Sequence, residues 1–202
     1  MYFPKMTRRA AYKVKENGEK YKTYSAYYDE IAEDCQNRCV YCDVLVKEVG
    51  GESMNLDHFR PQNHFPELGA DPTNLVLSCA KCNQLKSDWW PEKDGTADGG
   101  RHGFVDPFAE HMLTYIRVED DGAMASLKIP SQYMIDLMSL NRLTRKQIRR
   151  ARRVRTEAFE VMNDLCNEIN AISSKPVEEI RIRLPVLAQA LHDIRKLLEN
   201  LA

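Results

Sequence analysis

Two Cys-x-x-Cys pairs, Cys39/Cys42 and Cys79/Cys82, stand 36 residues apart in a chain of 202, and no other feature constrains the fold as tightly. A Cys-x-x-Cys turn presents both sulfurs to one metal, so two such turns supply the four thiolates of a tetrahedral zinc. Segments distant in sequence are then clamped together. Four protein ligands leave no open position for water, and the zinc is expected to be structural. The competing readings are a thioredoxin-like redox pair, which needs only one such turn, and four unrelated buried cysteines. Cys35, four residues before Cys39, and Cys166, in a long helical stretch, read as core residues.

Composition is that of an ordinary globular chain, with 43% hydrophobic and 29% charged residues. No run of 18 apolar residues or leader-like apolar stretch occurs, so neither a membrane span nor a signal peptide is expected and the default compartment is the cytoplasm. There, cysteines are read for metal before disulfides. The net charge of −1 conceals segregation: Arg142 to Arg155 holds eight basic residues and no acidic one, and the first 22 residues carry seven basic against two acidic.

The expected class is α+β. Residues 1–34 read as a basic N-terminal segment with a short helix over 23–34, and residues 35–92 as a β-rich module closed by a helix. In that module two extended runs flank Gly50-Gly51, Asn74-Leu75-Val76-Leu77-Ser78 is a strand, and Ser78 caps a helix starting at Cys79. Residues 92–103 are glycine- and aspartate-rich and read as a linker, opening the 93–130 segment, which also holds a hairpin turning at Asp121-Gly122. Residues 131–202 read as helical. A long helix from the Thr144/Gln147 capping box to about Ile172 presents Ile148, Val154, Ala158, Val161, Leu165 and Ile169 on one side, and a second helix follows Lys175-Pro176 with Leu187, Leu191, Ile194, Leu198 and Leu201. Together they form an antiparallel helical hairpin, a candidate oligomerisation surface.

Between and through the cysteine pairs run Asp57-His58-Phe59-Arg60-Pro61, Asn74-Leu75 and Cys82-Asn83-Gln84-Leu85-Lys86-Ser87-Asp88. In this order the motifs resemble the HNH endonucleases, where Asp-His ends one strand, Asn-Leu opens the next and a helix contributes a last His or Asn. Here that last place is Asn83, and the Asn83-to-Asp88 run looks like that of the HNH domain of RNA-guided nucleases. The resemblance covers about 50 residues and implies a zinc-supported ββα-metal nuclease module followed by a C-terminal helical region.

The residue types suit phosphodiester hydrolysis. Asp57 and Asn83 offer hard oxygen ligands for Mg²⁺ or Mn²⁺. His58, which alternates with Asp57 along the strand, is the expected general base, provided the strand end bends around the site. Asn74, as the resemblance implies, braces the loop and the backbone of the histidine. The expected catalytic set is therefore His58, Asp57, Asn74 and Asn83. Taken singly, an Asp-His dipeptide is usually a surface pair and Asn74 a turn residue. His64, His102 and His111 have no such context and read as non-catalytic.

Arg145, Lys146, Arg149, Arg152 and Arg153 fall opposite the apolar stripe of the long helix, and the excess positive charge there invites a phosphate backbone. Arg60, Lys86, Arg145, Arg149, Arg152 and Arg153 are thus the expected nucleic-acid contacts, with DNA the first choice of partner and RNA the second. An acidic partner surface or the protein's own second helix would serve as alternative counter-charge. His58-Phe59-Arg60-Pro61, Val105-Asp106-Pro107-Phe108 and Leu140-Asn141-Arg142 look like HNH proteins of bacterial anti-phage systems, Septu-type or retron-associated, which implies an ATPase partner that senses infection. A zinc-stabilised nucleic-acid-binding module and a structural adaptor, neither of them cutting, are the rival expectations.

Overall fold

The tyrosine-rich stretch before the first cysteine turns helical in two steps, a 3-10 turn over Tyr24–Tyr27 and then α1 (Tyr28–Asp34), in a computed structural model that describes residues 2–91, 101–172 and 174–199. Asp29 and Glu30 lie in the first turn of α1, where their charge complements the helix dipole, and Ile31 and Ala32 are buried. Arg9, from the basic N-terminal segment, is drawn onto this helix by ion pairs to Glu30, Glu33 and Asp34. Arg8 lies over the Phe108 ring and donates to the carbonyls of Pro72 and Leu75.

The chain then reverses through the first cysteine turn, with Gln36, Asn37 and Asp43 at positive φ. Short polar side chains tolerate that conformation best, and Asp43 is fixed there by accepting from the Phe3 N–H and pairing with Arg38. Only the second of the two extended runs expected around Gly50-Gly51 is a strand. The first becomes a single Arg38–Leu45 bridge and a 3-10 turn over Val46–Glu48, because β1 (Met54–His58) takes its ladder partner from β2 (Leu75–Cys79). The pair is antiparallel, with Met54 opposite Cys79 and His58 opposite Leu75.

α2 (Ala80–Lys86) follows β2 without a loop. Cys79, in extended conformation, holds the N-cap place. Ser78, expected as the cap, is instead a β2 residue opposite Asn55. The second small sheet, β3 (Ile116–Val118) with β4 (Met124–Ser126), turns through Gly122 at φ 83°, where glycine avoids a Cβ clash. α3 (Ser131–Leu137), α4 (Leu143–Ile172) and α5 (Val177–Glu199) complete the order. The α+β expectation is met. Most of the expected linker, residues 92–100, lies outside the described residues.

The chain divides into two compact units at Arg149/Arg150. In the first, Tyr27, Ile31, Cys35, Val40, Tyr41, Leu75, Leu77, Met134 and Met138 form one buried cluster spanning α1, the first cysteine turn, β2 and α3. In the second, Ala158, Ile172 and Leu187 are buried and Arg183 of α5 pairs with Glu168 of α4. Val161 and Cys166 depart from their expected packed positions and are both exposed. Among the described residues no helix is long and apolar enough to cross a membrane.

Candidate metal centre and nuclease cleft

The first cysteine turn is tied to β2 by the Val40 N–H donating to the Leu77 carbonyl, and closed on itself by the Cys39 N–H to Val44 and the Asp43 N–H to Cys39. Cys79 and Cys82 sit at the β2–α2 junction. The four sulfurs are buried and lie within 4.8 Å of one another, with Cys42 and Cys79 Sγ 3.7 Å apart. Tetrahedral zinc with bonds of about 2.3 Å spaces its sulfurs about 3.8 Å apart, close to the Cys42–Cys79 separation, so the donor set suits one structural zinc. None of the four is in a disulfide. Hydrogen bonds from Cys39, and then from Cys42 and Cys82, favour the thiolate at Cys79. Cys35 is not a fifth member: it accepts from the Leu77 N–H in the core, and burial pushes its thiol up to about 12.

A cleft lies between the end of β1 and α2. Asp57 and His58 from the end of β1, Asn83 from α2, and Tyr24, Gln62 and Asp88 line a space of about 310 Å³. Asp57, 5% exposed, accepts from the Tyr41 hydroxyl at 2.6 Å through Oδ2 and from the Lys86 ammonium at 3.3 Å through Oδ1. Burial pushes the Asp57 carboxyl up, opposed by the Lys86 charge and the Tyr41 hydrogen bond. Burial pushes Tyr41 up as well, reinforced by Asp57, which keeps its hydroxyl protonated and donating. Each carboxylate oxygen retains a lone pair, and Asn83 in the same lining has an amide oxygen; both are hard oxygen donors.

His58 is oriented from two sides. Its Nε2 lies 2.8 Å from the Gly69 carbonyl, and its ring meets that of Tyr24 edge-on with centroids 4.8 Å apart. A carbonyl can only accept, so Nε2 carries the proton and Nδ1 is the free acceptor in the neutral ring. Asn74 lies just beyond the strand end, where its amide group accepts from the Arg60 N–H and donates to the Arg60 carbonyl. Its own carbonyl receives the Phe59 N–H. These bonds bend the chain away from β1 immediately after His58.

Several expected nucleic-acid contacts lie elsewhere. Lys86 is fully buried between Asp57 and the His58 carbonyl. Arg145 and Arg149, 5% and 1% exposed, point into the first unit and not onto the solvent face of α4. Arg145 pairs with Glu52 and donates to Cys79 Sγ, while Arg149 donates to the carbonyls of Gly122, Cys42 and Leu140. At the start of α4 the buried face is the one that carries Arg145 and Arg149, while Leu143, Thr144, Gln147 and Arg150 are exposed, so the apolar stripe of the later turns does not mark it. Arg60 remains exposed, its guanidinium 5.7 Å from the Phe65 ring centroid. Arg152 and Arg153 belong to the second unit, where Arg153 pairs with Glu157. Tyr24, Tyr41 and Gly69 carry no motif and were invisible to spacing arguments.

Residues 39–88 match the family model described as HNH endonuclease. The chain is similar to protein ea31 of Escherichia phage lambda, 37% identical over 65 residues, covering 32% of this chain and 20% of that one. It is also similar to the Septu protein PtuB of Bacillus thuringiensis, 26% identical over 115 residues, covering 57% of this chain and 41% of the relative. The chain thus spans less than half the length of either curated relative. The matched segment begins at the first zinc-type cysteine and ends at the far wall of the cleft, and residues 39–88 constitute an HNH endonuclease domain.

Proposed function

We propose that this chain is a metal-dependent endonuclease that hydrolyses nucleic-acid phosphodiester bonds, DNA foremost, in bacterial anti-phage defence. The observation that carries the reading is the convergence of His58, Asp57 and Asn83 on one cleft with the imidazole already oriented by Gly69. His58 Nδ1 takes the proton of an attacking water, and the hydrogen bond from Nε2 to the Gly69 carbonyl steadies the imidazolium that results. Asp57 and Asn83 hold a catalytic Mg²⁺ or Mn²⁺, which supplies charge stabilisation at the phosphate and the leaving oxygen when bound. Tyr41 and Lys86 fix the carboxylate of Asp57, and Asn74 fixes the bend that turns the chain past His58. Arg60 is the proposed phosphate contact at the cleft, and Arg152 and Arg153 are proposed as further contacts.

The defence role rests on the likeness to the Septu protein and on the motifs outside the HNH segment, and an ATPase partner belongs to the same proposal. The test is incubation of purified protein with plasmid, single-stranded DNA and RNA, with Mg²⁺, with Mn²⁺ and with EDTA. Cleavage of plasmid that EDTA abolishes is expected. Retention of nucleic acid without cleavage, in every metal and with the partner ATPase added, would favour a binding module instead.

A further inference from the structure

Three arginines that the HNH chemistry does not use converge on the cysteine cluster. Arg142, ahead of α4, brings Nη2 to 3.4 Å from Cys79 Sγ, 3.5 Å from Cys82 Sγ and 3.9 Å from Cys42 Sγ. Arg145, in the first turn of α4, brings Nη2 to 3.4 Å from Cys79 Sγ and also pairs with Glu52. Arg149, one turn further, donates to the Cys42 carbonyl at 3.2 Å. Neutral thiols are weak acceptors and offer nothing to balance buried guanidinium charge. Four thiolates around one divalent cation carry a net charge of −2 and offer strong, charge-assisted acceptors. Arg142, Arg145 and Arg149 contribute +3 and Glu52 −1, so the assembly is neutral with the metal-thiolate centre formed, whereas four neutral thiols would leave it at +2.

We propose that Arg142 and Arg145 are the charge partners of the metal-tetrathiolate centre: they retain its metal by neutralising the thiolates, and through them the metal fastens the start of α4 to the first cysteine turn and the β2–α2 junction. This rests on the reading of the four cysteines as a metal centre. Without the guanidinium groups the thiolate charge is left unbalanced in a buried site, so the centre is held less tightly and the metal leaves faster. Arginine suits the place because its guanidinium keeps its charge when buried and is more weakly hydrated than an ammonium, which sheds its proton more readily on burial. Both residues are positioning residues, acting on the metal through its ligands.

The test uses the full chain purified with zinc and challenged with excess chromogenic chelator at neutral pH, following zinc release with time. Arg142→Met and Arg145→Met are each expected to release zinc about ten- to a hundredfold faster than wild type, the usual range for groups that support metal ligands. Lys146→Met, which removes a charge paired with Asp121 outside the cluster, is expected to release at the wild-type rate. Arg142→Lys and Arg145→Lys keep the charge and are expected to fall between wild type and the Met variants, and they serve if the Met variants do not fold. Folded Met variants with unchanged zinc release would overturn the proposal, as would Lys variants that lose zinc as fast as the Met variants. Wild-type protein without stoichiometric zinc by elemental analysis would overturn the metal reading itself, an outcome visible before any arginine is changed.

Discussion

Lys86 illustrates how far a single residue's role depends on its surroundings. In sequence it lies three places after Asn83 in a helix and invites assignment as a phosphate contact. In the fold its ammonium is enclosed by Asp57 Oδ1 and the His58 carbonyl, with its side chain 0% exposed. Removing one member of a buried pair leaves an uncompensated charge, which typically costs about 3–5 kcal/mol. Lys86→Met is therefore expected to lower unfolding free energy by about that much in urea titrations, and Lys86→Met combined with Asp57→Asn should recover part of the loss because no charge is left stranded. The pH dependence has a definite sign. Burial raises the Asp57 carboxyl in the fold, and loss of Lys86 raises it further, so the protonated form is favoured by folding. The deficit of Lys86→Met relative to wild type should then be smallest at acid pH and grow as pH rises through the folded-state value of Asp57. Equal deficits across that range would show that Asp57 is not the group left unpaired.

At the scale of elements, β1, β2 and α2 were legible because their signals are local: alternation in Met54–His58, an apolar run in Leu75–Cys79, and a helix opening on the second cysteine pair. The His58, Asp57 and Asn83 grouping was legible through the order of the motifs. Tyr24, Tyr41 and Gly69 were not, since what recruits them is proximity created by the fold: the Tyr41 hydroxyl reaches across 16 residues to Asp57 and the Gly69 carbonyl across 11 to His58. The inward arginines of α4 do not follow from its apolar stripe because the first turns of the helix bury the arginine face against the cysteine cluster while Leu143, Thr144 and Gln147 stay exposed. A two-stranded sheet with a seven-residue helix is marginal in isolation, and this one is joined to the first cysteine turn through four sulfurs. Stripping zinc with a strong chelator should therefore remove most of the cooperative near-ultraviolet signal from Tyr41 and its neighbours, and adding zinc back should restore it. Retention of that signal in zinc-free protein would show that the hydrophobic cluster alone holds the module.

On the scale of the whole molecule, the chain assigns its tasks to different segments. The HNH segment brings together a metal-type cysteine centre and a cleft, α2 belongs to both, and the start of α4 closes over the cysteines. The second compact unit, from Arg150 onwards, contributes a helical hairpin that exposes Ile182 and Val186. The central claim is that the cleft cuts nucleic acid using His58 as base, and the most direct measurement compares zinc-loaded wild type with zinc-loaded His58→Ala on plasmid DNA in Mg²⁺ or Mn²⁺, with binding of the same DNA followed in parallel. Loss of a positioned general base costs about a hundredfold to ten-thousandfold in rate, so His58→Ala should bind as wild type does and cleave slower by that factor. Cleavage at the wild-type rate by His58→Ala, with zinc retained, would contradict the account.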